Sequence, residues 1–139
     1  MKVLCIIQAR MESSRLPGKV LKKILDKPLI FYVIKAAQSS RMIDKVILCT
    51  SKSNLNNKIE SYCNSLSVAC VRESPCEDVL KRYFEASKKF HSEYIVRITG
   101  DCPLIAFDVP GSREIVRDKF NGFLVPFKDV SIMEIAISK

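Results

Sequence analysis

One stretch of the chain, Gln8-Ala9-Arg10-Met11-Glu12-Ser13-Ser14-Arg15-Leu16-Pro17-Gly18-Lys19, gathers three cations, two hydroxyls and a Pro-Gly turn. Those groups suit phosphate. Backbone amides and the hydroxyl of Ser13 or Ser14 donate to phosphate oxygens, an arginine engages them through two donors, and a lysine adds a point charge. The stretch lacks the glycines of the Walker pattern, and the plain alternative is a solvated basic loop. Further along, Thr99-Gly100-Asp101-Cys102-Pro103 sets a carboxylate behind a glycine. Asp101 suits Mg²⁺, which takes one or two carboxylates together with phosphate oxygens and water; a turn aspartate before proline is the other reading. Thr50 and Ser51 offer small hydroxyls for a base or ribose pocket. Asp78 and Arg82, one helical turn apart, read as an exposed ion pair.

The elements that must position these groups follow from hydrophobic periodicity. Continuous β-prone apolar runs predict strands at residues 3–7, 46–49 and 94–98, each buried on both faces, and a shorter strand at 68–71. A stripe of Leu29, Ile30, Val33, Ile34 and Ala37 predicts a helix over residues 28–39 with Pro28 in its first turn. Residues 54–65 form a weaker helix candidate. Ser74-Pro75-Cys76-Glu77 is a helix-start signature, followed by Val79, Leu80, Tyr83, Phe84 and Ser87 at helical spacing. Strand and helix alternate, so the expected class is α/β, a mostly parallel sheet with helices on both faces. Ligands of such sheets sit at the carboxyl ends of the strands, here after Ile7, Cys49 and Ile98. All three candidate sites fall there.

Composition sets the outer limits. A chain of 139 residues, 47% hydrophobic with few glycines and prolines, is long enough for one domain with a real core. No apolar stretch approaches the roughly 18 residues that span a bilayer, which excludes membrane insertion, and the apolar run at residues 3–7 is too short for a signal peptide. The cytoplasm is the expected location. Cys5, Cys49, Cys63, Cys70, Cys76 and Cys102 are scattered singly, so they read as buried thiols in a reducing compartment rather than a disulfide framework or a metal site. The formal charge of +8 suits a polyanion such as a nucleotide. Nucleic acid is not an expected partner, since no dense basic run or basic-aromatic motif occurs.

Residues 6–11 and 13–21, followed by Arg97-Ile98-Thr99-Gly100-Asp101-Cys102-Pro103-Leu104-Ile105, resemble the spore-coat polysaccharide biosynthesis protein F family. Its members are relatives of the cytidylyltransferases that activate acidic sugars such as Kdo and sialic acid. The likeness is colinear over residues 1–105 and includes Glu77-Asp78-Val79-Leu80 with Arg82-Tyr83. It implies a Rossmann-like nucleotide-binding fold and a transfer of CMP, in which a sugar oxygen attacks the α-phosphate of CTP and pyrophosphate leaves. By the same resemblance Arg10 and Lys19 grip the triphosphate as catalytic groups, Ala9, Ser13, Ser14 and Arg15 line the nucleotide, and Asp101 binds Mg²⁺. The implied partners are CTP or another nucleoside triphosphate and a sugar. Glu12 departs from the pattern, which commonly has a small residue there. A carboxylate beside a phosphate repels it unless it points away.

From Asp108 onward the sequence instead resembles a short piece of the carboxyl-terminal domain of glycosyltransferases with two Rossmann-like domains. In that likeness Gly111 to Val116 lie near a nucleotide-sugar donor, and residues 123–125 form a strand before a final helix. The expected organisation is therefore a truncated nucleotidyltransferase domain at 1–105 joined near residues 105–108 to a tail at 106–139. Such a chain is expected to be weakly active or inactive. A non-catalytic nucleotide-binding remnant and a glycosyltransferase-related protein are the competing readings. An incomplete sheet with an open edge also favours homo-oligomers.

Overall fold

The computed structural model describes residues 2–73, 79–101, 104–107 and 122–125. Strand β1 (Val3–Gln8) lies inside a four-stranded parallel sheet, with β4 (Lys45–Ser51) on one edge and β6 (Tyr94–Thr99) on the other. β5 (Ala69–Glu73) continues the sheet beyond β4, giving the order β5-β4-β1-β6. Successive side chains of a strand point to opposite faces, and β1 is apolar at every position that matters. Cys5 and Ile7 join one core with Ile30, Val33, Ile34, Ile59 and Cys63, which come from α1 (Leu29–Gln38) and α2 (Asn57–Ser65). Leu4 and Ile6 join a second core with Tyr83 and Ala86 of α3 (Val79–Phe90). The expected α/β class, with helices on both faces of a parallel sheet, is what the chain adopts.

Two smaller pieces flank this body. β2 (Lys23–Ile24) and β3 (Lys27–Pro28) form a tight antiparallel hairpin leading into α1. The buried Tyr32 hydroxyl of α1 donates to the Ile24 carbonyl at 2.9 Å, which ties the hairpin to the helix. β7 (Leu104–Phe107) and β8 (Gly122–Val125) pair in parallel as a separate two-stranded sheet. β8 coincides with the strand expected at residues 123–125. The expected final helix, the donor segment from Gly111 to Val116 and the helix-start signature at Ser74 to Glu77 lie outside the described residues.

Four expectations need correction. β6 is not buried on both faces, because Tyr94 and Ile95 remain 55% and 45% exposed at the end of the strand order. In α3, Leu80 and Phe84 point outward at 80% and 53% exposure, and the buried stripe is Arg82, Tyr83 and Ala86. Arg82, expected in an exposed ion pair, is only 1% exposed; its expected partner Asp78 lies outside the described residues. Pro28 is the residue before the first turn of α1 rather than part of it, with ψ of 145° in the extended range. The weaker helix at 54–65 is real but begins as a 3-10 turn over Asn54–Asn56, where the Ser53 hydroxyl accepts from the Leu55 amide at 3.4 Å.

The side chain of Ile34 is fully buried between α1 and the sheet, whereas Met42 is 71% exposed. Ile34→Ala should therefore destabilise the fold by about 2–5 kcal/mol, through lost transfer energy and the cavity left behind. Met42→Ala should change stability by less than about 0.5 kcal/mol. Urea unfolding of the two variants beside the parent chain checks both.

Candidate nucleotide site

Two loops leave adjacent parallel strands at the same edge of the sheet. The ladder runs one residue past the strands: Ala9 donates to the Cys49 carbonyl at 3.1 Å, and Gly100 donates to the Gln8 carbonyl at 2.7 Å. A side chain at Gly100 would not fit, since a Cβ there would lie 2.9 Å from the Ala9 Cβ and 3.0 Å from the Gln8 carbonyl oxygen. The close approach allowed by that glycine brings the loop after β6 against the start of the loop after β1.

The first loop is pinned at its ends. The Met11 carbonyl accepts from both the Ser13 and the Gly18 amides at 2.9 Å, closing the loop on itself. Gly18 takes a φ of 69°, a left-handed conformation that glycine adopts without steric strain. Val20 follows in the 3-10 turn Lys19–Leu21 and is buried in the core, so Lys19 leaves the loop from a fixed base. On the other side the Met11 amide donates to Asn56 Oδ1 at 2.9 Å. Asn56 is fully buried, and its Nδ2 donates to Ser51 Oγ at 2.7 Å and to Glu12 Oε2 at 3.2 Å. This one amide joins the phosphate-type loop, the end of β4 and the start of α2.

Between the two loops lies a cavity of about 280 Å³. Arg10, Ser13 and Lys19 line it from the first loop, Asp101 from the second, and Gln8 with Ala9 form its floor. Val20, Arg97 and Thr99 complete the wall. Lys19 and Asp101 form an ion pair with both side chains about one-third exposed. The Lys19 hydrogen bond holds the Asp101 carboxyl below its ordinary value against the opposing effect of burial, and the Lys19 charge and a hydrogen bond from Thr99 add to it. Among the described residues three cations, Arg10, Lys19 and Arg97, thus line the space against one carboxylate. The excess is positive, which fits a polyanion.

The structure brings together five of the nine residues singled out in the sequence: Ala9, Arg10, Ser13, Lys19 and Asp101. Ser14 and Arg15 lie on the exposed tip of the loop, outside the cavity lining. Thr50 and Ser51 are buried at 0% and 2% exposure, also outside that lining, and Ser51 serves as the acceptor of Asn56. Glu12 points toward Asn56 and Ser53 rather than into the cavity. Burial raises its carboxyl, but hydrogen bonds from Ser53, its own backbone and Asn56, with the Arg10 charge, bring it below the ordinary value. A glutamate here braces the loop instead of opposing a phosphate.

Sequence reasoning passed over Gln8, Arg97 and Thr99. Arg97 and Thr99 share one face of β6 by the period of two, and that alternation was the available signal. The Tyr83 hydroxyl donates to Gln8 Oε1 at 3.4 Å, and the Arg97 guanidinium stands 5.7 Å from the Tyr83 ring centroid. Burial pushes the Tyr83 hydroxyl up against the pull of Arg97, so it stays a neutral donor at physiological pH. Asn56 carried no signal of its own. A polar residue at a helix start reads as exposed until its partners are known.

A parallel sheet covered on both faces, with a cation-rich loop and an aspartate meeting at its carboxyl edge, defines an α/β domain with a candidate site for an anion. The chain belongs to the cytidylyltransferase family, whose sequence profile matches residues 4–111. It is 32% identical over 107 residues to the spore coat polysaccharide biosynthesis protein SpsF of Bacillus subtilis, covering 74% of this chain and 44% of that protein. Among solved structures it superposes on a cytidylyltransferase from Leptospira borgpetersenii with a TM-score of 0.70 at 37% identity, covering 76% of this chain and 44% of the other. It also superposes on a CMP:2-keto-3-deoxy-manno-octonic acid synthetase complexed with CTP, with a TM-score of 0.63 at 26% identity over 72% of this chain and 40% of that one. The chain thus spans less than half the length of the relatives it matches. The profile match ends three residues beyond the junction expected near 105–108. Among the described residues no helix is long and apolar enough to cross a membrane.

Asn56→Ala removes the partner of the Met11 amide and of Ser51 Oγ together. Leaving buried polar groups unsatisfied costs about 1–3 kcal/mol, so the variant should lose that much stability. The loss should appear as a lower urea midpoint with an unchanged slope. An unchanged midpoint would remove Asn56 from its bracing role.

Proposed function

We propose that this chain binds CTP together with Mg²⁺ in the cavity between the two loops, and belongs to a cytoplasmic apparatus that transfers CMP to a sugar for surface polysaccharide synthesis. The observation that carries the reading is the convergence of Arg10, Lys19 and Arg97 on a cavity whose one lining carboxylate, Asp101, already holds a cation. A triphosphate meets the cationic wall, and Arg10 and Lys19 neutralise its oxygens through charge-assisted hydrogen bonds. Ser13 adds a hydroxyl donor from the same loop. No side-chain nucleophile is needed, because positioning and charge neutralisation are what these groups supply to an in-line displacement at phosphorus.

Asp101 fits Mg²⁺ as a partial site. Its partly exposed carboxylate faces the cavity and binds the Lys19 ammonium, which occupies the place of a cation. Among the described residues no cluster of three metal-ligating side chains occurs, so phosphate oxygens and water would supply the remaining ligands. Bound there, Mg²⁺ would neutralise phosphate charge. A triphosphate that drew the Lys19 ammonium toward its oxygens would leave the Asp101 carboxylate free to hold the metal.

We further propose that this chain by itself turns CTP over slowly. It spans less than half of its relatives, and reactions of this type tolerate even about 1 Å of misplacement poorly. The described residues contribute one carboxylate to the cavity. Steady pyrophosphate release with an acidic sugar at about 10 per second, a typical enzyme turnover, would overturn the slow-turnover proposal.

Calorimetric titration with CTP, UTP and ATP, with and without Mg²⁺, tests binding and base preference together. Arg10→Ala and Lys19→Ala should each weaken CTP binding by about 1.5–3 kcal/mol, the range for hydrogen bonds to charged groups. Asp101→Asn should abolish the Mg²⁺ dependence while metal-free binding survives. Equal CTP affinity in the parent chain and both loop variants would remove the loop from the site.

A further inference from the structure

A second set of reactive groups lies away from the cavity, where α2 packs on β5. The two elements meet through matched pairs. The Arg72 guanidinium of β5 holds Glu60 Oε2 at 2.8 Å and Asn57 Oδ1 at 2.7 Å on α2. Moving two residues back along β5 and three residues forward along α2 brings Cys70 opposite Cys63. Two residues along a strand and three along a helix each return to the same face, so the pair Cys63 and Cys70 repeats the pair Glu60 and Arg72. Cys63 is buried in the core, and Cys70 packs against the same core with partial exposure. The Val68 amide donates to the Cys63 carbonyl at 2.9 Å, which fixes the short connection between them.

We propose that Cys63 and Cys70 form a reversible dithiol-disulfide couple, closed by hydrogen peroxide. Cys70 is the attacking thiol. It is the partly exposed member, and Arg72 lies two residues away on the same strand face. The Cys63 hydrogen bond, opposed by burial and by Glu60 and helped by Arg72, holds the Cys70 thiol below its ordinary value. That bond and burial push Cys63 up, so Cys63 keeps its proton. The other buried thiols lack such a setting: burial pushes Cys5 up to about 11 and Cys49 up to about 12.

The chemistry balances in two steps. The Cys70 thiolate sulfur attacks one peroxide oxygen, the O–O bond breaks, and hydroxide leaves to take up a proton, giving a sulfenic acid and water. The Cys63 sulfur then attacks the sulfenic sulfur and loses its proton, and the sulfenic oxygen departs as a second water. Two electrons pass from the thiol pair to the peroxide. Because the helix–strand register sets the two cysteines opposite one another, side-chain rotation is the motion that brings the sulfurs to the bonding distance of about 2.05 Å.

The test treats the reduced full chain with equimolar hydrogen peroxide, blocks remaining thiols with N-ethylmaleimide under denaturing conditions, and maps the peptides by mass. A Cys63–Cys70 linked peptide, about 2 Da lighter than the two free thiol peptides together and reversed by dithiothreitol, is expected. In Cys63→Ser, Cys70 should stop at the sulfenic acid and be captured by dimedone; in Cys70→Ser, Cys63 should remain alkylatable. The parent chain gives the deciding result whether or not either variant folds. Recovery of both cysteines as blocked thiols, or linkage of either one to another cysteine, would overturn the proposal.

Discussion

The site depends on the hydrogen bonding of β1 along both of its edges. Its register with β4 and β6 carries one residue past the strands, at Ala9 on one side and Gly100 on the other. Two loops remote in sequence are thereby launched from neighbouring points in nearly the same direction. The contact between Lys19 and Asp101 follows from this launch geometry. Gly100 is the condition for it, since any larger residue would push the second loop off the Gln8 carbonyl.

Charge is arranged around that contact in two ranks. The ion pair cancels one cation and one anion in a partly exposed setting, where such a pair contributes about 1 kcal/mol or less. It holds the two loops in register without strongly resisting an incoming ligand. Arg97 lines the same cavity with its guanidinium 5.7 Å from the ring centroid of Tyr83, which is itself hydrogen-bonded to Gln8. The back wall of the cavity is thus tied to the α3 layer, and the front wall to α2 through Asn56. Each helix layer braces one side of the same space.

Much of this was legible in the residues. The continuous apolar runs placed β1, β4 and β6 to within two residues; β1 and β4 are the buried strands of a parallel sheet, which have few other ways to satisfy both faces, whereas β6 was legible from its β-prone run alone. Arg10, Lys19 and Asp101, which line the cavity, were singled out by type and by their place at strand ends, and Arg15 by the same signal although it lies outside the lining. The face of α3 was not. Leu80 and Phe84 fit a helical stripe as well as Tyr83 does, and only the position of the sheet decides that Ala86 and Arg82 turn inward instead. Asn56 was missed and the direction of Glu12 was left open for a related reason: each is placed by partners on a different element. The match to a second enzyme type after residue 108 falls mostly outside the described residues, with β8 the one expected element observed there.

The double acceptance by the Met11 carbonyl has a consequence for the entropy of ligand capture. With Ser13 and Gly18 both bonded to one oxygen, the neck of the loop has a fixed span, and only the four residues from Ser14 to Pro17 extend beyond it. Ordering a residue's backbone costs roughly 1–2 kcal/mol, so a loop free along its whole length would spend much of its binding energy on becoming structured. Here that expense is confined to the exposed tip. Arg10 and Lys19, on either side of the neck, keep a spacing settled when the chain folds.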